Sequence, residues 1–386
     1  MAALDHDLRT AAPYDEVRAW IFDQALPLWG TAGVDRRDGG FVEQLDFAGV
    51  DAGVGFKRTR VTCRQIYVFS HASMMGWAPG AEIAEHGFAF LRKGWLGTTG
   101  GWARTCGRSG QVLDATPDLY DIAFALFALG WYVRATGDGR AIALARETLD
   151  FAKARLRPTT GEGFWHEVPP KGWRLQNPHM HLLEAMLVCF EATGEERYAE
   201  VALELADLFR TRFFDAEAGA LAEYFTDDWR HAPGETGRII EPGHQFEWAW
   251  ILANLKRLTG LDTAAQVRSL VGFAERFGVD PDTHVTFNQL RNDGAPLDRG
   301  SRTWPNTERI KAQVARFEMF GERGVTEIAQ SCRVLLDRYL ATERPGLWVD
   351  LFDADGRPQS ATVPASTLYH LFLAFAEILR VQPGLA

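Results

Sequence analysis

Apolar residues recur at three- and four-residue spacing through most of this 386-residue chain, the periodicity of helices that bury one face. The first stripe runs through Val17, Trp20, Ile21 and Leu28, with Asp15 and Glu16 ahead of it where a helix start favours negative charge. A weak internal repeat follows. Asp121-Ile-Ala-Phe124 leads through a helix to Ala135-Thr-Gly137-Asp138, and Glu184-Ala-Met-Leu187 leads to Ala192-Thr-Gly194-Glu195. A third copy runs from Glu247-Trp-Ala-Trp250 to Leu258-Thr-Gly260. Each copy reads as a helix ended by a glycine at C′, then a tight turn into a second helix.

Such a hairpin cannot bury its apolar face alone, so its neighbours must stack on it. Helices predicted over 16–29, 65–75 and 81–93 supply units before the repeat, and 308–320, 325–340 and 368–379 supply units after it. About six pairs result, enough to close a ring of inner helices inside a ring of outer ones. The alternative is an open solenoid. Closure is the expectation, because polar and aromatic groups cluster at the starts of alternate helices as if facing one cavity. Between the hairpins lie Gly39-Gly-Phe-Val-Glu-Gln-Leu-Asp46, Gly100-Gly-Trp102, Gly163-Phe-Trp-His166 and Gly346-Leu-Trp348-Val-Asp350. They are expected as short strands or loops rimming one end. No linker divides the chain, so residues 1–386 are expected to form one domain.

Composition narrows the function classes. Hydrophobic content of 46% with 12% aromatics supplies a core. A net charge of −10 and a pI near 5.5 argue against nucleic acid. No apolar run reaches the ~18 residues of a membrane span, and Met1-Ala-Ala-Leu-Asp-His-Asp lacks the basic start and apolar core of a signal peptide. Cys63, Cys106, Cys189 and Cys332 stand singly, as expected of reduced thiols in the cytoplasm. The acidic surface fits a monomer or homodimer.

Histidine can give and take a proton near neutral pH, and three distant segments set one among polar groups in helical sequence. They are Asn177-Pro-His179-Met-His181, Gly243-His244-Gln-Phe-Glu247 and Leu368-Tyr369-His370. Joined by Arg64, they look like the parts of a proton-transfer enzyme with two opposed bases. His244 and Glu247 share a helix face, so the carboxylate could fix the imidazole's tautomer, or the two could hold a metal ion. One of His179 and His181 is expected to reach the cavity and the other to support it. Asn177 could present its amide to a sugar hydroxyl. His370 alone fits a satisfied core or cap residue as well as a base. Arg64 in an apolar setting needs an anionic partner, either a carboxylate or a developing oxyanion. Trp304 offers a stacking face or plain packing, with Glu308 in the first turn after it.

The ordered set resembles the N-acylglucosamine 2-epimerase superfamily. It comprises Arg64-Gln-Ile-Tyr-Val-Phe-Ser70, Asp118-Leu-Tyr120-Asp-Ile-Ala-Phe124, the 177–184 segment, Glu241-Pro-Gly-His244-Gln-Phe-Glu247-Trp248, the 304–308 segment and Tyr369-His370. The resemblance implies an (α/α)6 barrel and cofactor-free proton transfer at C2 of an open-chain sugar, with no metal. It makes His244 and His370 the acid/base pair and Arg64 the stabiliser of the enediolate oxygen. By the same likeness His181, Asn177 and Glu247 hold the sugar and assist ring opening, while Tyr120, Trp304 and Glu308 line the pocket. Epimerases of disaccharides carry a bulky aromatic shortly before the last histidine, where this chain has Pro364-Ala365-Ser366-Thr367. That departure looks like the monosaccharide isomerases, mannose isomerase first, with a 2-epimerase or sulfoquinovose isomerase as alternatives. An inverting glycoside hydrolase, which needs two carboxylates flanking a water, or a non-catalytic helical-repeat binding protein are the competing classes.

Overall fold

Each apolar stripe finds its cover in the next helix along the chain, and the resulting pairs wind into two concentric rings. The computed structural model describes residues 13–97, 101–159 and 161–385. The outer helix α1 (Tyr14–Ala19) continues through a wide turn, Trp20–Ala25, into Leu26–Trp29. Inner and outer helices then alternate: α2 (Thr59–Met74), α3 (Gly80–Leu91), α4 (Leu119–Thr136), α5 (Gly139–Arg155), α6 (Asn177–Thr193) and α7 (Glu196–Leu208). They go on as α8 (Pro242–Thr259), α9 (Ala264–Phe277), α10 (Thr303–Phe320), α11 (Val325–Val334) and α12 (Leu368–Leu385).

The even-numbered helices pack in sequence, α2 on α4, α4 on α6 and onward to α12, and α12 returns to α2. Each odd-numbered helix covers one of them, and α1 covers α12. The ring is therefore closed, an (α/α)6 barrel. The solenoid alternative fails because α12 has α2 for a neighbour.

Inner helices touch protein on every side, so they read as apolar nearly all round. Along α4, residues 121–133 are all buried. Inner helices α4, α6, α8 and α10 each end on a glycine in the left-handed region, Gly137, Gly194, Gly260 and Gly321, at φ near +70°. The first three are the glycines of the repeat. Gly321 is a fourth, without its Ala-Thr prefix. Only glycine meets that backbone cheaply.

Two inner helices start earlier than apolar spacing suggests, α2 at Thr59 rather than 65 and α10 at Thr303 rather than 308. Their first turns carry Thr59, Arg60, Thr62 and Arg64, and Thr303, Asn306, Thr307 and Glu308. These turns face other polar first turns around the barrel axis, not an apolar layer, so the stripe begins only after them. Helix α11 stops at Val334 and finishes as a wide turn, Leu335–Tyr339.

Short antiparallel pairings rim the end where the inner helices begin. Gln44–Leu45 pairs with Val363–Pro364, and Ser301–Arg302 with Leu351–Phe352. Arg174–Leu175 pairs with Tyr224–Phe225, and Phe56–Arg58, Thr105–Gly107 and Val112–Asp114 form a three-stranded patch. Of the expected rim segments, 163–166 and 346–350 carry no strand, and Gly100 lies outside the described residues, although Trp102 bridges to Trp95. The Met1–Asp7 segment also lies outside them. Among the described residues no helix is long and apolar enough to cross a membrane, and all four cysteines are free and buried.

First and last units meet at an aromatic seam. Trp29 stacks on Trp348 at 5.0 Å between ring centroids and donates its indole N–H to the Gly346 carbonyl at 3.1 Å. Trp20 packs edge-on against Phe375 of α12 at 5.8 Å. Replacing so large a buried ring leaves a cavity, so Trp348→Ala should destabilise the fold by about 3–5 kcal/mol. A urea unfolding curve checks this, and a loss no larger than that of a surface substitution would show that the seam does not hold the ring closed.

Candidate active site

A cavity of about 380 Å³ opens where the inner helices begin. Parallel inner helices put their first turns around one mouth, so residues hundreds of positions apart face one space. Helix α2 brings Arg64, α4 Tyr120, α6 Asn177 and His181, α8 His244 and Glu247, α10 Trp304, and α12 His370. The rim adds Glu223, Tyr224, Glu241, Arg302, Asp350, Ser366 and Thr367. The rings of His244 and His370 both pack against the Trp304 indole, at 5.0 and 5.7 Å. Two imidazoles distant in sequence thus share one cavity.

Each cavity imidazole has a carboxylate behind Nδ1. His181 meets Glu184 at 3.2 Å, His244 meets Glu223 at 2.9 Å and His370 meets Glu308 at 2.8 Å. A carboxylate there accepts the Nδ1 proton and leaves Nε2 as the free ring nitrogen. The surroundings then drive the three rings apart. Burial works against a charge on His244, but the carboxylates Glu223 and Glu241 overcome it and hold its pKa up at about 9. His244 is therefore an imidazolium at neutral pH, fit to donate a proton. Burial pushes His370 well below the usual imidazole range, and the cations Arg64 and Lys311 add to the effect. His370 is the unprotonated ring, fit to accept one. His181 is lowered to about 4 by burial, with Glu184 opposing.

Arg64 has no carboxylate partner within ion-pair distance among the described residues. It is 7% exposed, and its guanidinium donates to the Tyr120 hydroxyl at 2.7 Å and the Ser366 carbonyl at 3.3 Å. It lies 4.3 Å from the Phe124 ring centroid and 5.1 Å from that of Tyr369, where ring faces attract a cation. A nearly buried positive charge lining a cavity without a counter-ion is a place for developing negative charge.

Glu247 does not reach His244 as the i+3 spacing suggests. Its carboxyl lies between the other two pairs, within 4.8 Å of ligand atoms of His181–Glu184 and of Glu308–His370. Burial, and then the charge of Glu308, pushes it well above the carboxylate range, so it is a neutral acid that can donate a hydrogen bond. Glu223 holds His244 instead. It comes from the loop before Tyr224–Phe225, and Gln176 lies 3.1 Å from the same nitrogen. Glu308 does not line the cavity; it sits wholly buried behind His370, ion-paired with Lys311 at 2.6 Å. The same lysine stands 3.9 Å from Glu247.

His179 is the supporting member of its pair. It is buried, with Nδ1 at 2.9 Å from the Leu175 carbonyl and Nε2 accepting the Phe164 N–H at 3.0 Å. Asn177, Tyr120 and Trp304 line the cavity. Sequence spacing missed the rim: Glu223, Glu241, Arg302 and Asp350 stand on or beside two-residue strands, which carry no usable periodicity. Glu241, three before His244 and 3.7 Å from its Nδ1, was findable from helix geometry.

A model of the family described as N-acylglucosamine 2-epimerase (GlcNAc 2-epimerase) matches residues 39–374. The chain is 37% identical over 377 residues to a mannose-6-phosphate isomerase of Rhizobium meliloti (strain 1021), covering 94% of this chain and 96% of that one. It is 27% identical over 403 residues to a D-mannose isomerase of Thermobifida fusca, covering 96% of each. The structure of a cellobiose 2-epimerase from Spirochaeta thermophila DSM 6192 superposes with a TM-score of 0.83 at 25% identity, covering 97% of both chains.

Ring NMR of histidine-labelled protein should show His244 titrating near pH 9. Glu223→Gln removes one supporting negative charge and should lower that midpoint by about one unit or more. An unmoved midpoint would mean that Glu223 does not set the charge on His244.

Proposed function

The chain belongs to the N-acylglucosamine 2-epimerase family, whose members named above are sugar isomerases and epimerases, and from that premise we propose that it interconverts D-mannose and D-fructose. The observation that carries the reading is the pairing of an unprotonated His370 with an unneutralised Arg64 on one cavity that also holds a protonated His244.

The chemistry follows from those charges. A C2 proton is weakly acidic, so its removal needs an unprotonated base held against the carbon and a stabilised oxyanion. His244, as imidazolium, donates a proton to the ring oxygen as the C1–O5 bond breaks; the O1 hydroxyl gives up its proton to form the C1 carbonyl, and that proton restores the imidazolium, with Glu247 and Asn177 holding hydroxyls. Nε2 of His370 then takes the proton from C2. The C–H electron pair becomes the C1–C2 double bond, and the former carbonyl oxygen O1 takes negative charge beside Arg64. His370 returns the proton to C1, the O2 proton passes to O1, and a carbonyl forms at C2. No electrons enter or leave. Arg64 contributes most where O1 carries charge, because a charge-assisted hydrogen bond strengthens there.

Two features favour a free monosaccharide. Positions 365 and 366 are Ala and Ser, so the segment before His370 offers no aromatic face to a second sugar ring. Glu223, Glu241 and Asp350 line the cavity, and Arg302, the rim cation, already faces Glu241 at 3.4 Å. A dianionic phosphate would meet three carboxylates there, which supports mannose over mannose 6-phosphate. The 2-epimerase reading has its own support: an imidazolium beside a neutral imidazole is also the pair that would reprotonate C2 from the other face.

Proton NMR in D2O separates these outcomes. Mannose should give fructose, with any deuterium that exchanges onto His370 entering at C1, and no early glucose. Glucose appearing first would make the enzyme an epimerase, and turnover confined to mannose 6-phosphate would overturn the free-sugar reading. His370→Ala should lower turnover by at least about a hundredfold, the scale of a lost acid/base group; near-normal rates in a folded variant would remove His370 from the mechanism.

A further inference from the structure

Lys311 is fully buried on α10, one turn after Glu308, and does not line the cavity. A buried ammonium costs several kcal/mol unless its surroundings compensate it. The compensation here is specific. Nζ stands 2.6 Å from Glu308 Oε2 and 3.9 Å from Glu247 Oε1, and 4.4 Å from the Trp250 ring centroid. The other oxygen of Glu308, Oε1, accepts the Nδ1 proton of His370 at 2.8 Å. One carboxylate therefore bridges the lysine and the base, and a chain of three side chains runs from the barrel core to the cavity.

The groups facing His370 come from every inner element around it. Arg64 approaches from α2, His181 and Glu184 from α6, Glu247 from α8, Trp304, Glu308 and Lys311 from α10, and Tyr369 precedes it on α12. Burial raises the Glu308 carboxyl, and the Lys311 ammonium acts against that rise. Without the lysine, a bare carboxylate would press on Nδ1 of the ring, with Arg64 left to oppose its protonation. Proton uptake by the ring would then relieve the buried charge. His244 shows that outcome within the same cavity: carboxylates without a buried ammonium beside them leave its imidazole charged.

Resting on the isomerase reading for its place in catalysis, we propose that Lys311 is a positioning residue. Its ammonium fixes the Glu308 carboxylate against His370 Nδ1–H and keeps Nε2 unprotonated toward the substrate, without touching the sugar.

The test reads the ring itself and needs no substrate. Protein labelled at histidine Cε1, with the His370 signal assigned by its loss in His370→Asn, is titrated from about pH 5 to 9, the window in which imidazole normally changes charge. Wild-type His370 should not titrate there. In Lys311→Met its midpoint should enter the window, and Lys311→Arg, which keeps the charge, should resemble wild type. Lys311→Gln keeps a donor for Glu308 without the charge and should shift the midpoint likewise, which serves if the methionine variant does not fold. A folded Met or Gln variant whose His370 stays silent overturns the proposal. Turnover then tests the catalytic part. At pH 7 kcat should fall at least about tenfold, with KM moving less than about threefold, because a group that acts on the base leaves ground-state binding alone. A higher KM with unchanged kcat would make Lys311 a binding residue and overturn the assignment. A shifted midpoint in an enzyme that does not isomerise mannose would count against the proposed reaction alone.

Discussion

Imidazoles sunk into the axis of a helical barrel would lose their charge to burial alone, and what each can do depends on the carboxylate against its Nδ1 and on what else that carboxylate touches. Glu223 meets His244 beside a second carboxylate, Glu241, and the ring stays charged. Glu308 meets His370 but shares itself with Lys311, while Arg64 faces the same ring, and the ring stays neutral. Glu184 meets His181 but also accepts from the Tyr369 hydroxyl at 2.9 Å. One local motif used three times yields opposite protonation states, because electrostatic work in a low-dielectric interior follows the sum of nearby charges. The separation of charged from neutral imidazole lies in the neighbours, not in the histidines.

This arrangement explains why the inner helices begin with polar turns. A charged side chain inside a barrel survives only where other charges and hydrogen bonds balance it. The inner helices supply these from their first turns, which all point to one end. The remaining turns are free to be apolar and to pack. Function and stability are thus divided along the length of each helix rather than between its faces.

Much of the fold was legible because it rests on periodicity. Apolar spacing gave the helical pairs, and Gly137, Gly194 and Gly260 gave their turns. The starts of α2 and α10 were not legible, since Thr59 to Arg64 and Thr303 to Glu308 bury polar groups that periodicity counts as surface. In the site, Arg64, His181, His244, His370, Asn177, Tyr120, Trp304 and Glu247 were named from sequence, and all eight line the cavity. Their partnerships were misjudged. The i+3 spacing of His244 and Glu247 is real, yet Glu247 turns to the axis and a rim carboxylate takes its place. Spacing along a helix says which side chains are neighbours, not which of them a distant loop will displace. Lys311 was passed over for a related reason: a lysine in a helix reads as solvated until the closed ring shows it fully buried.

The hydrogen bond from Arg64 to the Ser366 carbonyl spans 302 positions of sequence, and in the seam the hydrogen bond from Trp29 to Gly346 spans 317. Contacts of that range form late, since the intervening chain must be ordered before its ends can meet. During synthesis, five hairpins could stack on the ribosome while the Arg64 guanidinium still lacked the last wall of its cavity. Only when α12 docks do His370 and Ser366 arrive, and with them the proposed base and the last contact of the Arg64 guanidinium at once. A nascent or truncated chain would therefore be inert rather than partly active, and competence would switch on with the final turn of the ring.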